Sequence, residues 1–275
     1  MVTTTEILPS PPLQTYIRCY TLREFDTMGT DFSKPLPANH EFSFAFTLRG
    51  GLYTYNTAFK ELKAESKQHI IGLQTASKGI VIFNGDVRFF SVQFRPNGFY
   101  KLFGIPSSQI TNNIFEASDV IPGGTGSYQE QLIEATNLLE MKKISDKFFL
   151  SHLLVSRRYD PYYSISSTSA IIFQSFGNVN IKNLAYNANM SLKRFELKFT
   201  EQVGIPPKLF ARINRFNFAL LLKMQNALLN WTDISHRCGY YDQMHFIKEF
   251  KEFAGDSPAN FYKTTPLPYE DYKKQ

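Results

Sequence analysis

The chain has 275 residues, with 30 Lys and Arg against 24 Asp and Glu (formal net charge +6), 43% hydrophobic residues and 20% charged ones. This composition excludes a disordered or fibrous chain, and the length allows one large or two ordinary domains. There is no apolar run of about 18 residues and no basic-then-apolar leader, and Cys19 and Cys238 cannot frame a disulfide scaffold, so a cytoplasmic protein off the membrane is expected.

After an arm broken by Pro9, Pro11 and Pro12, the first alternating run is Glu41 to Leu48, with period two. Gly50-Gly51 is expected to turn the chain into Leu52 to Tyr55. Gln68 to Leu73, Gly79 to Phe83 and Arg88 to Phe94 continue the pattern, with Asn84-Gly85 as a hairpin turn. These runs predict a small antiparallel β-barrel or sandwich, in which Phe42, Phe44, Phe46, Tyr53 and Phe90 line the interior and either enclose a small ligand or fill the core. Arg95-Pro96-Asn97-Gly98 ends the sheet. Helical spacing follows over Gly98 to Phe103, Ser127 to Lys142 and Ser145 to Ser156; the last two either cover the sheet or self-associate. A linker is expected at Asp160 to Tyr163.

From Ile165 the chain reads as all helical, and it repeats. A short helix Ile181 to Ala188 leads through a turn to the N-cap Ser191 and a helix Leu192 to Val203 stopped by Gly204. Pro206-Pro207 opens a long helix reaching about Leu229. Thr232 is expected to cap a helix Asp233 to Cys238, Asp242 a helix Gln243 to Ala254 stopped by Gly255, and Pro258 starts a last one. Ser191, Phe195, Phe199, Gly204 and Pro207 recur as Asp242, Phe246, Phe250, Gly255 and Pro258; Leu184 and Ala188 recur as Ile234 and Cys238, with one more residue in the second turn. Two tandem helix-turn-helix units joined by a long helix are predicted. Charge follows this division: residues 1–160 hold 16 Lys and Arg against 15 Asp and Glu, and residues 161–275 hold 14 against 9. The basic surplus therefore sits on the repeat, as expected of a half that faces a polyanion.

The run from Ile234 through His236, Gly239 and Phe246 to Lys251, followed by Gly255, Pro258 and Phe261, resembles the signature of the AraC/XylS family of transcriptional regulators. Leu184-Ala185, Met190-Ser191, Phe195, Phe199, Gly204 and Pro207 resemble that family's first helix-turn-helix. Pro12, Tyr16-Ile17, the strand pattern and Phe94 to Gly98 resemble the cupin-like sensor domain of one subgroup. The resemblance implies an α+β chain: a cupin-like antiparallel β-barrel with flanking helices over 1–160, for sensing or self-association, and an all-α double helix-turn-helix over 161–275. It implies double-stranded DNA as partner, with a small-molecule effector, a second copy of the chain and RNA polymerase as further candidates.

In a helix-turn-helix the N-terminal part of the second helix reaches base edges in the major groove. Counted from each N-cap, positions two, five and six share one face. They are Lys193, Glu196 and Leu197 in the first unit and Met244, Ile247 and Lys248 in the second, flanked by Arg194, Gln243 and His245. Lys193 and Lys248 suit guanine or phosphate and Gln243 suits adenine, whereas Leu197, Met244 and Ile247 offer only apolar contact. The family often has arginine where Leu197 stands, which leaves the first unit gripping phosphate through Lys193, Arg194 and Lys198 as the alternative to base reading. Lys208, Arg212 and Arg215 on the linker helix are expected near the backbone.

No catalytic or cofactor motif stands out: His40, His69 and His152 lack metal-ligand spacing, and there is no P-loop or Gly-x-Ser-x-Gly elbow. Cys238, Trp231 and Tyr240 read as packing residues. No enzyme, cofactor or metal is expected; a cupin-type metabolite-binding enzyme and an interaction adaptor that has lost DNA binding are the alternatives.

Overall fold

The computed structural model describes residues 3–56, 60–155 and 163–265. In its N-terminal part, β1 (Thr3–Ile7), β2 (Ile17–Asp26), β3 (Phe32–Pro35), β4 (Ser43–Asn56), β5 (Glu61–Ala64), β6 (Gln68–Ile71), β7 (Ile80–Phe94) and β8 (Ile114–Glu116) form an antiparallel sheet of order β1-β2-β7-β4-β6-β8. In addition, β3 pairs with the first part of β7 and β5 with the last part of β4. Three of these strands, β1 to β3, precede the alternating runs that the sequence pattern singles out.

Both expected turns in this region are bulges. Strands β4 and β7 run unbroken through Gly50-Gly51 and Asn84-Gly85, and Gly51 lies opposite Asn84. Gly50 and Gly85 have φ of 82° and 80°, and the register shifts between Thr47 and Gly51. A left-handed glycine serves a bulge as well as a hairpin, and here two face each other and bend the two longest strands together.

The bend curls the sheet round a cavity, and the period-two pattern decides what lines it. Phe42, Phe44, Phe46 and Phe90 are fully buried, but on the face away from the cavity. Phe44 and Phe46 pack on Tyr128 (5.8 and 5.1 Å between ring centroids), Phe44 also on Phe148, and Phe42 stacks on Phe99 at 5.5 Å. Tyr53 is half-buried, while its neighbours Leu52 and Thr54 line the cavity. The expected aromatic lining is thus corrected. The apolar face meets the helices, and Ser43, Ala45, Ser91 and Gln93 face inward.

Those helices are α1 (Gly98–Phe103), α2 (Ala117–Val120), α3 (Gly126–Glu134) and α4 (Leu138–Val155). The break between the two long ones falls at Ala135 to Asn137, earlier than expected, because a reciprocal cap starts α4 there. Asn137 Oδ1 accepts from the Glu140 amide (3.0 Å), and the Glu140 carboxylate reaches back to the Thr136 amide and hydroxyl (2.8 and 2.9 Å). Tyr128 stacks on Phe148 with centroids 4.2 Å apart, joining α3 to α4 over the sheet. The expected linker at Asp160 to Tyr162 lies outside the described residues.

The C-terminal part comprises α5 (Tyr163–Gln174), α6 (Ile181–Asn187), α7 (Leu192–Val203), α8 (Pro207–Gln225), α9 (Trp231–Arg237), α10 (Gln243–Ala254) and α11 (Pro258–Thr264). Its core is continuous with that under the sheet. Asn97, 2% exposed, donates to Ser166 Oγ (2.8 Å) and Gln202 Oε1 (3.1 Å), and Ser107 Oγ donates to the Gln202 carbonyl (2.8 Å). Among the described residues no helix is long and apolar enough to cross a membrane.

Two histidines are buried as neutral rings. Burial pushes His40 and His69 down to about 4 from an ordinary value near 6.5. Their folded pKa lies below the unfolded one, so their share of stability is fully present above about pH 6.5 and is lost as pH falls towards about 4. Urea unfolding should therefore weaken over that window, by at most about 1.4 kcal/mol per pH unit for each ring. His69→Gln should flatten the slope; an unchanged slope in that variant would assign the acid sensitivity elsewhere.

Candidate nucleic-acid interface

Two helix pairs, α6–α7 and α9–α10, have matching local chemistry. Each second helix is capped by its own side chain: Ser191 Oγ accepts from the Arg194 amide (3.3 Å) and Asp242 Oδ1 from the His245 amide (2.7 Å). Each turn holds one left-handed residue at the equivalent place, Asn189 (φ 54°) and Gly239 (φ 73°). The extra residue of the second turn is Tyr241, 93% exposed. Each second helix stops at a left-handed glycine, Gly204 or Gly255. One cap differs from expectation: Asn230, not Thr232, caps α9, with Oδ1 accepting from the Asp233 amide at 2.8 Å. The long helix α8 ends at Gln225, four residues short of the expected Leu229.

Phe195, Phe199, Phe246 and Phe250 are fully buried and hold the pairs together. On the opposite face, Lys193, Arg194, Glu196 and Leu197 of α7 and Gln243, Met244, His245 and Lys248 of α10 are exposed. Ile247 is partly buried against the core, further from the open face than its spacing suggests, and Lys198 pairs with Glu201 at 2.7 Å. Neither helix has an acidic residue in its first turn; the neutral Ser191 cap leaves the amide end of α7 open to an anion, whereas the Asp242 carboxylate already sits at that of α10.

The linker-helix arginines are engaged within the protein. Arg212 Nε donates to Glu249 Oε2 (2.8 Å) and Arg212 Nη2 to Glu252 Oε2 (2.6 Å), while Arg215 lies over the Tyr240 ring at 5.1 Å. Lys208 is exposed. Glu249, 2% exposed, also accepts from the Tyr240 hydroxyl (2.8 Å), so one buried carboxylate ties α8, the second turn and α10 together. Sequence spacing gave no sign of this centre, because Glu249 occupies a position that looks like solvent-facing helix. Cys238 is fully buried and its thiol is pushed up to about 12 by burial, in keeping with packing.

The far ends of α7 and α10 face loops and turns of the N-terminal part. A Cβ on Gly204 would lie 2.4 Å from Thr111 Oγ1 and 3.3 Å from Phe42, and one on Gly255 would lie 3.2 Å from Ser77. Thr111 Oγ1 donates to the Gly204 carbonyl (3.1 Å), and the Ala38 amide donates to the Phe253 carbonyl (2.8 Å). Twelve helical residues, about 18 Å, separate these docked ends from the capped ones.

A second site is the cavity under the bent sheet, about 460 Å³ in volume. Around Asn39 and Glu41 the lining is polar, with Arg18, Ser43, Gln74 and Gln93; Leu52, Val81, Phe83 and Phe89 supply apolar surface elsewhere, with Lys34, Lys63, Glu65 and Lys78 also at the wall. Arg18 and Glu41 neutralise each other through two hydrogen bonds (2.6 and 3.1 Å). Among the described residues no group of three or more His, Cys, Asp or Glu is placed to hold a metal.

Two capped, locally equivalent helix pairs of this kind have the form of helix-turn-helix units. The comparisons agree: residues 184–264 match a family described as a helix-turn-helix domain, and residues 5–116 match a domain of unknown function, DUF6597. The Msm operon regulatory protein of Streptococcus mutans is 28% identical over 122 residues, 43% of this chain and 42% of that protein, so the likeness spans less than half of either. ToxT from Vibrio cholerae shares the fold, with a TM-score of 0.50 at 10% identity over 90% of this chain and 98% of that one. The C-terminal domain of AraT, a response regulator from Geobacillus stearothermophilus, is 23% identical over 42% of this chain and 95% of that one, with a TM-score of 0.36. Residues 184–264 thus carry a helix-turn-helix domain.

Glu249→Ala should lower stability to urea by about 2–3 kcal/mol, because it leaves Tyr240 and Arg212 with lost or weakened partners inside the domain. Glu252→Ala, at the exposed end of the same pair, should cost under about 1 kcal/mol. Equal losses would remove Glu249 from its place as the organising group.

Proposed function

We propose that the chain is a sequence-specific, DNA-binding transcriptional regulator, with residues 161–275 as the reader and residues 1–160 controlling it. The observation that carries this reading is the orientation of α7 and α10: glycine-stopped ends docked on loops of the N-terminal part, capped ends exposed together with Lys193 and Lys248. Each pair acts as a helix-turn-helix unit, and α8 holds the two so that they address successive major-groove faces about 10 base pairs apart. Lys193 and Arg194 grip phosphate at the first unit. Lys248 and Gln243 read base edges at the second, and the exposed Leu197 and Met244 (63% and 77%) meet apolar groups such as thymine methyls.

The cavity is the control site in this reading. Two buried polar atoms of its lining, His69 Nδ1 and Gln74 Oε1, have no hydrogen-bond partner among the described residues, Arg18 and Glu41 are paired with each other, and Leu52, Val81, Phe83 and Phe89 supply apolar surface. It suits a small uncharged molecule with hydrogen-bond donors at one end and a compact apolar part at the other.

Selection of bound duplexes from a random pool with the full chain tests the reading. Two conserved half-sites one helical turn apart are expected, with affinity that falls steeply as salt rises. Binding that is absent, or indifferent to salt, would favour the adaptor, to which the exposed Tyr241, Leu197 and Met244 would then belong. On the selected duplex, Lys248→Ala should cost about 1–3 kcal/mol and relax base preference, whereas Lys193→Ala should weaken binding to all sequences and reduce the salt slope by about 1.

A further inference from the structure

From Ala38 to Phe42 the chain forms a short strap that leads into β4, and its residues alternate between two environments. Ala38, His40 and Phe42 face the helical domain. The Ala38 amide is bonded to the Phe253 carbonyl in the last turn of α10. The His40 ring, 4% exposed, has Nδ1 3.0 Å from Asn217 Nδ2 of α8 and lies edge-on to Phe173 and Phe210, at 5.3 and 6.3 Å. The Phe42 ring lies against Gly204 at the end of α7. Three consecutive even positions thus touch the second reading helix, the linker helix and the first reading helix.

Asn39 and Glu41 face the other way, into the polar end of the cavity. Asn39 Oδ1 accepts from the Glu41 amide (3.2 Å), the Asn39 backbone exchanges two hydrogen bonds with Gln74 (2.9 and 3.0 Å), and Glu41 holds Arg18. The strap itself is not in a regular ladder; Asn39 with Gln74 is an isolated bridge. A segment with few ladder bonds can shift as a unit at lower cost than a strand in the middle of a sheet.

We infer that the strap Ala38–Phe42 is the coupling element between the two parts of the chain, transmitting the state of the cavity's polar end to both helix pairs at once. A group that bonds Asn39 or Glu41 cannot move either without moving the peptide groups that carry Ala38, His40 and Phe42. Because those three touch α10, α8 and α7 in turn, one displacement changes the seating of both readers rather than of one. The inference rests on the proposed roles of the cavity and the helix pairs, but the coupling can be measured without an effector and without DNA.

The test is hydrogen–deuterium exchange on the full chain for wild type, Asn39→Ala, His40→Ala, the double variant and Thr54→Val, a cavity-lining substitution away from the strap. Asn39→Ala should speed exchange roughly fivefold or more in α8 around Asn217 and in the last turn of α10, although Asn39 faces the cavity. In the His40→Ala background the same change should add little in α8, and Thr54→Val should leave both helices as they are. Glu41→Gln, which keeps the shape of the side chain, repeats the test if Asn39→Ala fails to fold. Changes confined to residues 39–41 and Gln74 would overturn the strap. So would additive effects in the double variant, or an equal response to Thr54→Val, which would mean general loosening of the sheet. Affinity for a selected duplex, measured on the same variants, should shift roughly fivefold or more in Asn39→Ala and little further in the double variant. If wild type binds no duplex, the functional reading fails while the exchange pattern still decides the coupling.

Discussion

The structure depends on one alternation. From Ala38 to Phe46 every even residue is buried against helices and every odd residue from Asn39 to Ala45 lines the cavity. The phenylalanines at 42, 44 and 46 need apolar partners, and α1, α3, α4 and Gly204 supply them. The residues between are then obliged to face inward, and they are asparagine, glutamate, serine and alanine. A one-residue slip would put three phenylalanines in the cavity and Glu41 under a helix, so register here is strongly specified. The polar cavity is thus a consequence of where the helices pack.

The same constraint joins the two parts of the chain. The even residues at the start of the run belong to the helical domain's surroundings, and the core under the sheet continues without a break into the core between α5, α7 and α8. Asn97, within Arg95-Pro96-Asn97-Gly98, adds a polar tie at the same seam by holding Ser166 and Gln202. The glycine stops of α7 and α10 complete it. In an isolated helix a C-terminal glycine needs only its own left-handed φ; here it also removes a Cβ that would strike Thr111 or crowd Ser77.

Much of this was legible in the sequence, and the reasons divide by the range of the physics involved. Caps, glycine stops and the proline start of α8 are local, and Ser191, Asp242, Gly204, Gly255 and Pro207 were placed from neighbouring residues alone. Local signals that serve two structures do not by themselves choose between them. Gly50-Gly51 and Asn84-Gly85 suit turns, and only their meeting across β4 and β7 makes them a pair of bulges. Period two locates an apolar face without saying what covers it, so Phe42, Phe44, Phe46 and Phe90 were assigned to the wrong side of the sheet. Glu249 was overlooked because its partners, Arg212 and Tyr240, come from a preceding helix and a turn.

Charge illustrates the same limit and changes the meaning of the basic surplus. Counting residues placed the excess on the repeat, yet the cations there are not equivalent. Arg212 is spent on Glu249 and Glu252, Arg215 on the Tyr240 ring and Lys198 on Glu201. Lys223 lies over Tyr262 and donates to the Ala227 and Leu229 carbonyls. These groups hold the scaffold, and moving them onto a phosphate would cost the contacts they already make. Lys193 and Lys248 stand on the exposed faces of α7 and α10, and at α7 the unbonded amides of the helix end add to the field. Under the proposed function, the fit of this surface to a polyanion therefore depends on where the fold places its exposed cations, and much less on a net charge of +6.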